Sequence, residues 1–407
     1  MNRGSRHWRI AMLALLLGAS GAGRAGDRLE LQGLLDLRAV YADGLTSFLY
    51  GGSGRLRFDA DHEGVRVGRL MLAGRYRISD VWTFNAVGGS WADPDKHPVD
   101  LTEAWFDARP FPRGPVRYRL RVGAFQLPAS LENRAVGWST PYSLSSSAIN
   151  TWLGEEIRIL GSELEAKWIG ASQGYFGEVA VQAAVFGWND PAGDLIASRG
   201  WAIGERQSTL FGGLGRPRES FYREIDGRPG YYAGLSWRHH DQWEVRALRY
   251  DNRADPGATN SDDIAWRTQF TSLGVRWEPD ERWTVIAQTM QGQTYVGGDA
   301  VPQEQYAESF RSWFVLGSRQ WGAGRLTLRY DRFSTHQHSG EYSPFTDDDG
   351  HGLMLAYLYD FDAHWQAVGE WQQVSSRFPP RVLYGDPVAA REKLLQLSVR
   401  YRFKLQR

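Results

Sequence analysis

The segment KLLQLSVRYRF, residues 393–403, alternates strictly between apolar and polar side chains over most of its length. Successive side chains of a β-strand point to opposite faces. An extended chain would therefore place the leucines, the valine and the aromatic residues on one face, and the glutamine, the serine and the arginines on the other. Such a strand fits a soluble sheet that buries its apolar face in a core. It equally fits a barrel in lipid, which turns the apolar face outward and keeps the polar face in a wet interior.

The same alternation recurs along most of the chain and predicts sixteen strands. The segments between them alternate in length, with short turns at one end and long polar loops at the other, which is typical of barrels that span an outer membrane. Eighteen strands are an alternative if the long stretch 189–229 contains a further strand. The predicted strands cover residues 29–42, 54–78, 82–91, 101–109, 116–126, 155–169, 174–188, 230–238, 242–252, 265–277, 282–295, 308–320, 324–334, 351–361, 364–376 and 393–403.

The N-terminus indicates export. Arg3, Arg6 and Arg9 precede an apolar run at residues 10–17 and a stretch of small residues at 18–25. This order is typical of a secretory signal peptide, and the run is shorter than the ~20 residues that a membrane helix needs. We expect residues 1–25 to be a signal peptide and residues 26–407 a single domain in the outer membrane of a Gram-negative bacterium. The expected fold class is all-β, a transmembrane antiparallel β-barrel with short periplasmic turns and long extracellular loops.

Tryptophans are placed at the predicted strand ends. Some follow short turns directly, and others lie beside long loops. Because tryptophan favours the membrane interface, where its ring is half-wetted, this placement predicts two aromatic girdles. The residues after short turns are Trp82, Trp243, Trp283 and Trp365, and those beside long loops are Trp91, Trp188 and Trp266.

The predicted inner face is polar and rich in arginine. A barrel of about sixteen strands leaves an aqueous channel, so we expect passive diffusion of small hydrophilic solutes. Arginines in a narrow pore lower the barrier for anions, which makes anion preference the sharper hypothesis. The alternative is a solvated wall in which the arginines pair with acidic residues. The predicted pore-lining residues are Arg69, Arg75, Arg77, Arg117, Arg119, Arg121, Arg325, Arg329, Arg400 and Arg402.

One long connection has a distinctive composition. Residues 127–152, LPASLENRAVGWSTPYSLSSSAINTW, carry no charge after Arg134 and are rich in serine, threonine and asparagine. A compact loop of this kind either folds into the lumen or caps the barrel from outside. In the first interpretation it is a constriction loop, and Glu132 and Arg134 are the charged pair nearest the constriction.

Composition and motifs exclude several classes of function. The 47 basic and 47 acidic residues balance, and removal of a signal peptide that contains only basic charges leaves an acidic chain, which argues against nucleic acid as a partner. No hydrolase elbow, zinc-protease motif or phosphate-binding loop occurs, so we expect no enzyme and no cofactor. His336, His338 and the aspartates at 347–349 fit an exposed, solvated loop, and we assign no metal. The alternative for this loop is a weakly bound ion that bridges to lipopolysaccharide.

The run GAFQLPASLENRAVGWSTPYSLSSSAINTWLGEEIRILGSELE, residues 123–165, carries a family resemblance. It resembles a stretch of the bacterial outer-membrane porin-like proteins, a broad group that includes the phosphate-selective porins. The resemblance implies passive uptake and a homotrimer. It implies no particular solute, since only Lys96, Lys167, Lys393 and Lys404 are lysines and the lysine ladder associated with phosphate selectivity has no counterpart. The expected partners are outer-membrane lipid, lipopolysaccharide and small hydrophilic solutes.

Two functions of other classes stay open at this point. An outer-membrane hydrolase built on a barrel would need a nucleophile or a carboxylate pair near a rim, and the sequence marks none. A soluble periplasmic all-β protein that binds carbohydrate would use aromatic side chains, and the chain contains 18 tryptophans and 18 tyrosines.

Overall fold

The computed structural model describes residues 28–93, 97–175, 177–214, 221–260, 263–297, 306–338 and 345–406, except for the side chain of Ser172. Within these ranges the chain forms one closed β-barrel. The predicted signal peptide, residues 1–25, lies outside the described residues, so its cleavage stays a prediction.

The barrel has sixteen antiparallel strands, each paired with its neighbours in sequence, and the first strand pairs with the last. The strands are β1 (Leu29–Asp43), β2 (Gly64–Arg77), β3 (Trp82–Ser90), β4 (Val99–Ala108), β5 (Val116–Gln126), β6 (Arg158–Ile169), β7 (Glu178–Gly187), β8 (Gly230–His239), β9 (Trp243–Asp251), β10 (Arg267–Trp277), β11 (Trp283–Val296), β12 (Tyr306–Trp321), β13 (Gly324–Gln337), β14 (Asp349–Asp360), β15 (Trp365–Arg377) and β16 (Ala389–Gln406).

The two faces of β16 show which side of the sheet meets the exterior. Leu397 and Val399 are 59% and 50% exposed, whereas Gln396 and Arg400 are 1% and 3% exposed. The apolar face therefore points outward, and the polar face points into the barrel. This orientation contradicts the soluble alternative, because a soluble sheet would bury the apolar face. It is the arrangement of a barrel in hydrocarbon.

The predicted strand at 54–78 is too long. β2 begins at Gly64, and residues 54–59 belong to a loop that folds into the barrel. Leu56 and Phe58 alternate with Arg55 and Arg57, but all four are buried, so the alternation here does not separate two faces of a sheet. The stretch 189–229 contributes no strand in its described part, and the barrel has sixteen strands rather than eighteen.

The connections follow the predicted asymmetry. Short turns join the strands at one end, which we call periplasmic, and longer loops join them at the other, extracellular end. Three loops matter below: L1 (residues 44–63), L3 (127–157) and L4 (188–229). The tryptophans that open β3, β9, β11 and β15 lie at the turn end and are partly exposed; they are Trp82, Trp243, Trp283 and Trp365.

Two short α-helices occur in the described parts of these loops, α1 (Ala148–Glu156) in L3 and α2 (Asp194–Arg199) in L4. The side chain of Ser147 caps α1 by accepting the N–H of Asn150. Every residue of α1 is buried. A helix that is enclosed on all sides needs no apolar stripe, and the sequence therefore showed no helical periodicity there. Neither helix has the length and apolar character that a membrane crossing requires, and the other described helices do not have them either.

Candidate functional site

The extracellular half of the barrel interior is occupied by the loops. Trp152 of α1 lies at the centre, and its ring centroid is 5.1 Å from that of Phe310 on β12 and 5.5 Å from that of Phe270 on β10. Trp201 of L4 packs edge-on against Trp152 at 6.0 Å. These rings belong to one buried apolar cluster that also includes Leu56 of L1. L1, L3 and L4 thus form a plug, a name we keep for the parts of these loops that lie inside the barrel.

Buried carboxylates hold L3 against the barrel wall. Arg329 on β13 donates from Nη1 to Glu132 Oε1 at 2.9 Å and from Nε to Asp331 Oδ2 at 2.8 Å. Asp331 also accepts the backbone N–H of Ala148 at 3.0 Å, at the N-terminus of α1. On β15, Glu370 accepts the backbone N–H of Leu144. Each carboxylate satisfies donors of the loop, so L3 is fixed by specific hydrogen bonds as well as by apolar packing.

L4 is held by a second set of ion pairs. Glu205 contacts Arg38 on β1 and Arg57 in L1. Asp348, just before β14, accepts the backbone N–H of Trp201 at 3.0 Å and pairs with Arg55 of L1 at 2.8 Å. L4 is therefore tied to both L1 and the wall.

L3 and L4 also contact each other through Glu156 of L3. Its Oε2 accepts the indole N–H of Trp152 at 2.6 Å, and its Oε1 accepts the backbone N–H of Leu195 in α2 at 3.0 Å. Burial raises the pKa of Glu156 to about 8. For Glu205, burial acts in the same direction, but the charges of Arg38 and Arg57 outweigh it and lower the pKa. At pH 7 the raised pKa favours the neutral form of Glu156, and the lowered pKa favours the ionised form of Glu205.

The periplasmic half of the interior is a vestibule lined by arginines. Arg75 and Arg117 are exposed on the inner face of β2 and β5. Arg134 of L3 reaches Glu244 on β9 at 2.7 Å. The same carboxylate also contacts Arg238, Arg246 and Arg276, so four guanidinium groups surround one acid; the contacts measure 3.6, 2.5 and 3.3 Å. Arg238 and Arg276 also contact Glu178 and Glu278, at 3.7 and 3.0 Å, so four arginines and three acids meet in this group.

The structure places all the predicted pore-lining arginines on the inner face, but at two levels. Arg75, Arg77 and Arg117 are exposed in the vestibule, and Arg119, Arg121, Arg325 and Arg402 are partly buried there. Arg69, Arg329 and Arg400 are buried at the level of the plug, with exposures of 0%, 0% and 3%.

Arg69 differs from the other buried arginines. None of its three side-chain nitrogens has a hydrogen-bond partner among the described residues, and its nearest acid, Asp36, is 3.9 Å away.

The predicted constriction loop enters the lumen, which excludes the capping interpretation of residues 127–152. Its two charged residues do not form a pair. Glu132 is fully buried against Arg329, whereas Arg134 faces the vestibule.

The sequence analysis did not single out Arg246 and Arg276, although the alternation of β9 and β10 indicates that both point inward. Arg57 and Glu205 lie in irregular loops, where no periodic signal could have identified them.

A group of three acidic residues lies in L4. Carboxylate oxygens of Asp190, Glu224 and Asp226 lie within 4.8 Å of one another. Asp190 already accepts the backbone N–H groups of Ile225 and Asp226, and these bonds account for its position. The group therefore belongs to the structure of the loop, and we assign it no ligand.

Comparison with solved structures yields barrels of the outer membrane. The outer membrane channel DcaP of Acinetobacter baumannii aligns over 95% of this chain and 100% of its own, with 12% identity and a TM-score of 0.57. The anion-selective porin of Comamonas acidovorans aligns over 92% and 99%, with 13% identity and a TM-score of 0.52. The trimer form of OmpT, an outer membrane protein of Vibrio cholerae, aligns over 92% and 99%, with 11% identity and a TM-score of 0.52.

At this level of identity the likeness concerns the fold. The chain has the sixteen-stranded antiparallel barrel fold of outer-membrane porins, which confirms the fold class and, for the fold, the porin-like resemblance. No protein-family model matches the chain. No curated protein matches it either.

Proposed function

We propose that the protein is an outer-membrane channel through which small hydrophilic solutes diffuse, anions in preference to cations. The observation that carries the proposal is the arginine-lined vestibule inside a closed barrel of the porin fold. A water-filled cavity with low-dielectric walls strengthens the field of the charges that line it. Rings of arginine in such a cavity lower the barrier for anions and raise it for cations.

Because the plug fills part of the lumen, the proposed channel has to open and close through movement of the plug. In the state described here, apolar side chains and buried ion pairs of L1, L3 and L4 fill the extracellular half of the lumen. Solute passage therefore requires part of the plug to move. L4 is the segment that we propose to move. Its Trp201 packs against Trp152 in the apolar cluster, while Glu205 and the backbone of Trp201 are held by charged groups of L1 and the wall, so loss of these charged contacts would release it.

We further propose that three copies assemble, as in the trimeric protein of the same fold. The outer face of β1 and β2 supports this proposal. Tyr41 and Val65 are 63% and 86% exposed near the extracellular end, and Leu37 below them is 45% exposed. A continuous apolar face of this kind suits a contact between copies. Light scattering of the purified protein in detergent tests it, since a monomer mass at all concentrations would contradict the trimer.

Conductance in planar bilayers tests the channel. We expect stepwise conductance from the folded protein. In asymmetric potassium chloride we expect a reversal potential with the sign that indicates a higher permeability for chloride than for potassium. Removal of an L4 anchor in Glu205→Gln should raise the open probability. Absence of steps in both the wild type and this variant, with folding verified by slow migration of unboiled samples on gels, would refute the channel. A reversal potential on the cation side would refute only the anion preference.

A further inference from the structure

The outer face of the barrel is not uniformly apolar. On β9–β13 a row of polar side chains crosses the strands towards the extracellular end. The row runs through consecutive cross-strand pairs, from Arg249 to Thr271, Gln291, Arg311 and Ser334. These positions alternate with inward-facing residues, so all of them point away from the lumen. We call these five residues the outer polar row.

The outer polar row lies directly above an apolar surface. Two positions towards the periplasm from Thr271 and Arg311 are Leu273 and Trp313, which are 51% and 42% exposed. Arg249 stands six residues from Trp243 on β9, which is roughly 15 Å in height for a strand tilted by about 40°. The apolar band of such barrels is roughly 25 Å tall. The backbone of Arg249 therefore lies within the outer leaflet, from where its long side chain extends towards the head groups, and the row reaches their level at its other end.

Two arginines of the row lack an acidic partner among the described residues. Arg249 donates to the neutral oxygens of Thr271 and Gln269, and Arg311 donates from Nε to Ser334 Oγ at 3.1 Å. The nearby Arg332, by contrast, pairs with Asp349 at 2.5 Å. A cation that faces lipid without a counter-charge is costly, and the cost falls when an anion is bound.

The surface around the row is shaped to hold a ligand with two chemical parts. Arg249, Gln291 and Arg311 line a depression of about 780 Å³. A second depression of about 410 Å³ adjoins it and shares Arg311, and the aromatic rings of Trp313 and Tyr330 form part of its wall. The first depression is also lined by Asp347, Asp348 and Asp349, which contact His336, Arg55 and Arg332. The guanidinium groups of Arg249 and Arg311 and the amide of Gln291 are thus the groups it offers to an anionic ligand. The second depression offers an apolar wall at the depth of acyl chains.

We propose that the outer polar row binds a phosphorylated glycolipid of the outer leaflet, with its phosphate groups on Arg249 and Arg311 and an acyl chain against Trp313. Guanidinium groups bind phosphate through paired, charge-assisted hydrogen bonds. The neutral Thr271 and Gln291 between the two arginines can hydrogen-bond the sugar. This site is independent of the channel proposal, because every group in it lies on the outside of the barrel.

A second copy of the chain fits this surface less well. Such a partner would have to offer acidic groups at the same height. On β2, on the opposite side of the barrel, the extracellular end carries the exposed apolar Val65 instead, and on β7 and β8 beside the row it carries Val185 and Tyr231. The charge of the row therefore favours the lipid over a contact between copies.

Native mass spectrometry of the detergent-solubilised, full-length protein tests the proposal. The probe is lipid A with two phosphates, and the comparison lipids are the same lipid A without phosphate and phosphatidylglycerol. We expect lipid A with two phosphates to bind best, and the double variant Arg249→Gln, Arg311→Gln to weaken it by roughly tenfold or more. The matched control is Arg391→Gln, which removes an exposed arginine from the extracellular end of β16 and should leave the affinity unchanged.

Three results would overturn the proposal. One is equal binding by wild type and double variant when both show the gel migration of a folded barrel. Another is equal binding of lipid A with and without phosphate. The third is a double variant that keeps its lipid affinity but changes its oligomeric state, which would assign the row to a contact between copies.

Discussion

Arg38 on β1 and Glu205 in L4 form a buried ion pair that joins the barrel wall to a loop 167 residues away in the sequence. The same carboxylate contacts Arg57 of L1, so one acid connects the wall and two loops of the plug. All three side chains are nearly inaccessible to solvent. Removal of one partner from a buried ion pair typically costs about 3–5 kcal/mol, because the remaining charge stays buried without compensation.

The variant Glu205→Gln should therefore loosen L4. It leaves Arg38 and Arg57 facing each other with less negative charge between them, and we expect a higher open probability in single-channel recordings. The barrel itself should stay folded, since its strand pairing does not depend on this residue. The control is Glu281→Gln in a periplasmic turn, where the side chain is exposed. Equal open probability in Glu205→Gln and wild type would show that this ion pair does not hold the plug.

The vestibule arginines should set ion selectivity. Arg75 and Arg117 are exposed to the water of the vestibule, where a single charge contributes less than about 1 kcal/mol. We expect Arg75→Gln with Arg117→Gln to lower the anion-to-cation permeability ratio by roughly two- to threefold. Reversal potentials in asymmetric potassium chloride measure it. The control pair is Arg228→Gln with Arg391→Gln, which removes the same charge from an extracellular loop and the outer face. If both pairs change the ratio equally, the vestibule does not select.

The stability of the plug should depend on pH through Glu156. Its pKa is about 8 in the folded protein, above the value of 4.5 expected when it is unfolded. A carboxyl with a higher pKa in the folded than in the unfolded protein binds more protons when folded. The free energy of unfolding is therefore highest below the unfolded pKa and falls as the pH rises towards the folded pKa. We therefore expect the melting temperature of the plug, followed by tryptophan fluorescence, to fall between pH 5 and about 8.

In Glu156→Gln this fall should be smaller, because the amide does not titrate. The variant should also be less stable at every pH, since its single amide oxygen can accept only one of the N–H groups of Trp152 and Leu195. A variant with the same pH dependence as the wild type would assign the effect to another group.

Substitution of Gly68 by alanine, which adds a single methyl group, should destabilise the barrel. It lies where the pairing of β1 with β2 shifts register, and a Cβ there would overlap the guanidinium of Arg38. Arg38 has little freedom to move, because it is held by Asp36, Glu205 and Gln396. We expect Gly68→Ala to destabilise the barrel by about 1–3 kcal/mol, the usual cost of overpacking, measured by urea denaturation in detergent. Gly317→Ala on β12, where a Cβ meets nothing within 4 Å, should be neutral. Equal effects would contradict the steric explanation.

The sequence by itself determined the barrel and the orientation of its faces. Leu397 and Ser398 are separated by one residue step, and the period of two in a strand assigns them to opposite sides without reference to any distant part of the chain. The position of Trp283 after a short turn is equally local. For this reason alternation predicts the sixteen strands and the inward direction of Arg75 or Arg400, except that it extends β2 into the loop before Gly64. The lengths of the segments between strands predict the asymmetry of the loops.

Only the tertiary structure decided what fills the barrel and what its outer surface offers. Arg329 meets Glu132 across 197 residues, and no local pattern encodes that contact. Arg57 and Glu205 lie in irregular loops, whose course depends on the cavity that the completed barrel provides. Arg249 and Arg311 were predictable as outward-facing residues, but they form one row only through the register of four consecutive strands. Periodicity is a property of neighbouring residues, whereas a plug and a binding surface arise from contacts that exist only after the barrel has closed.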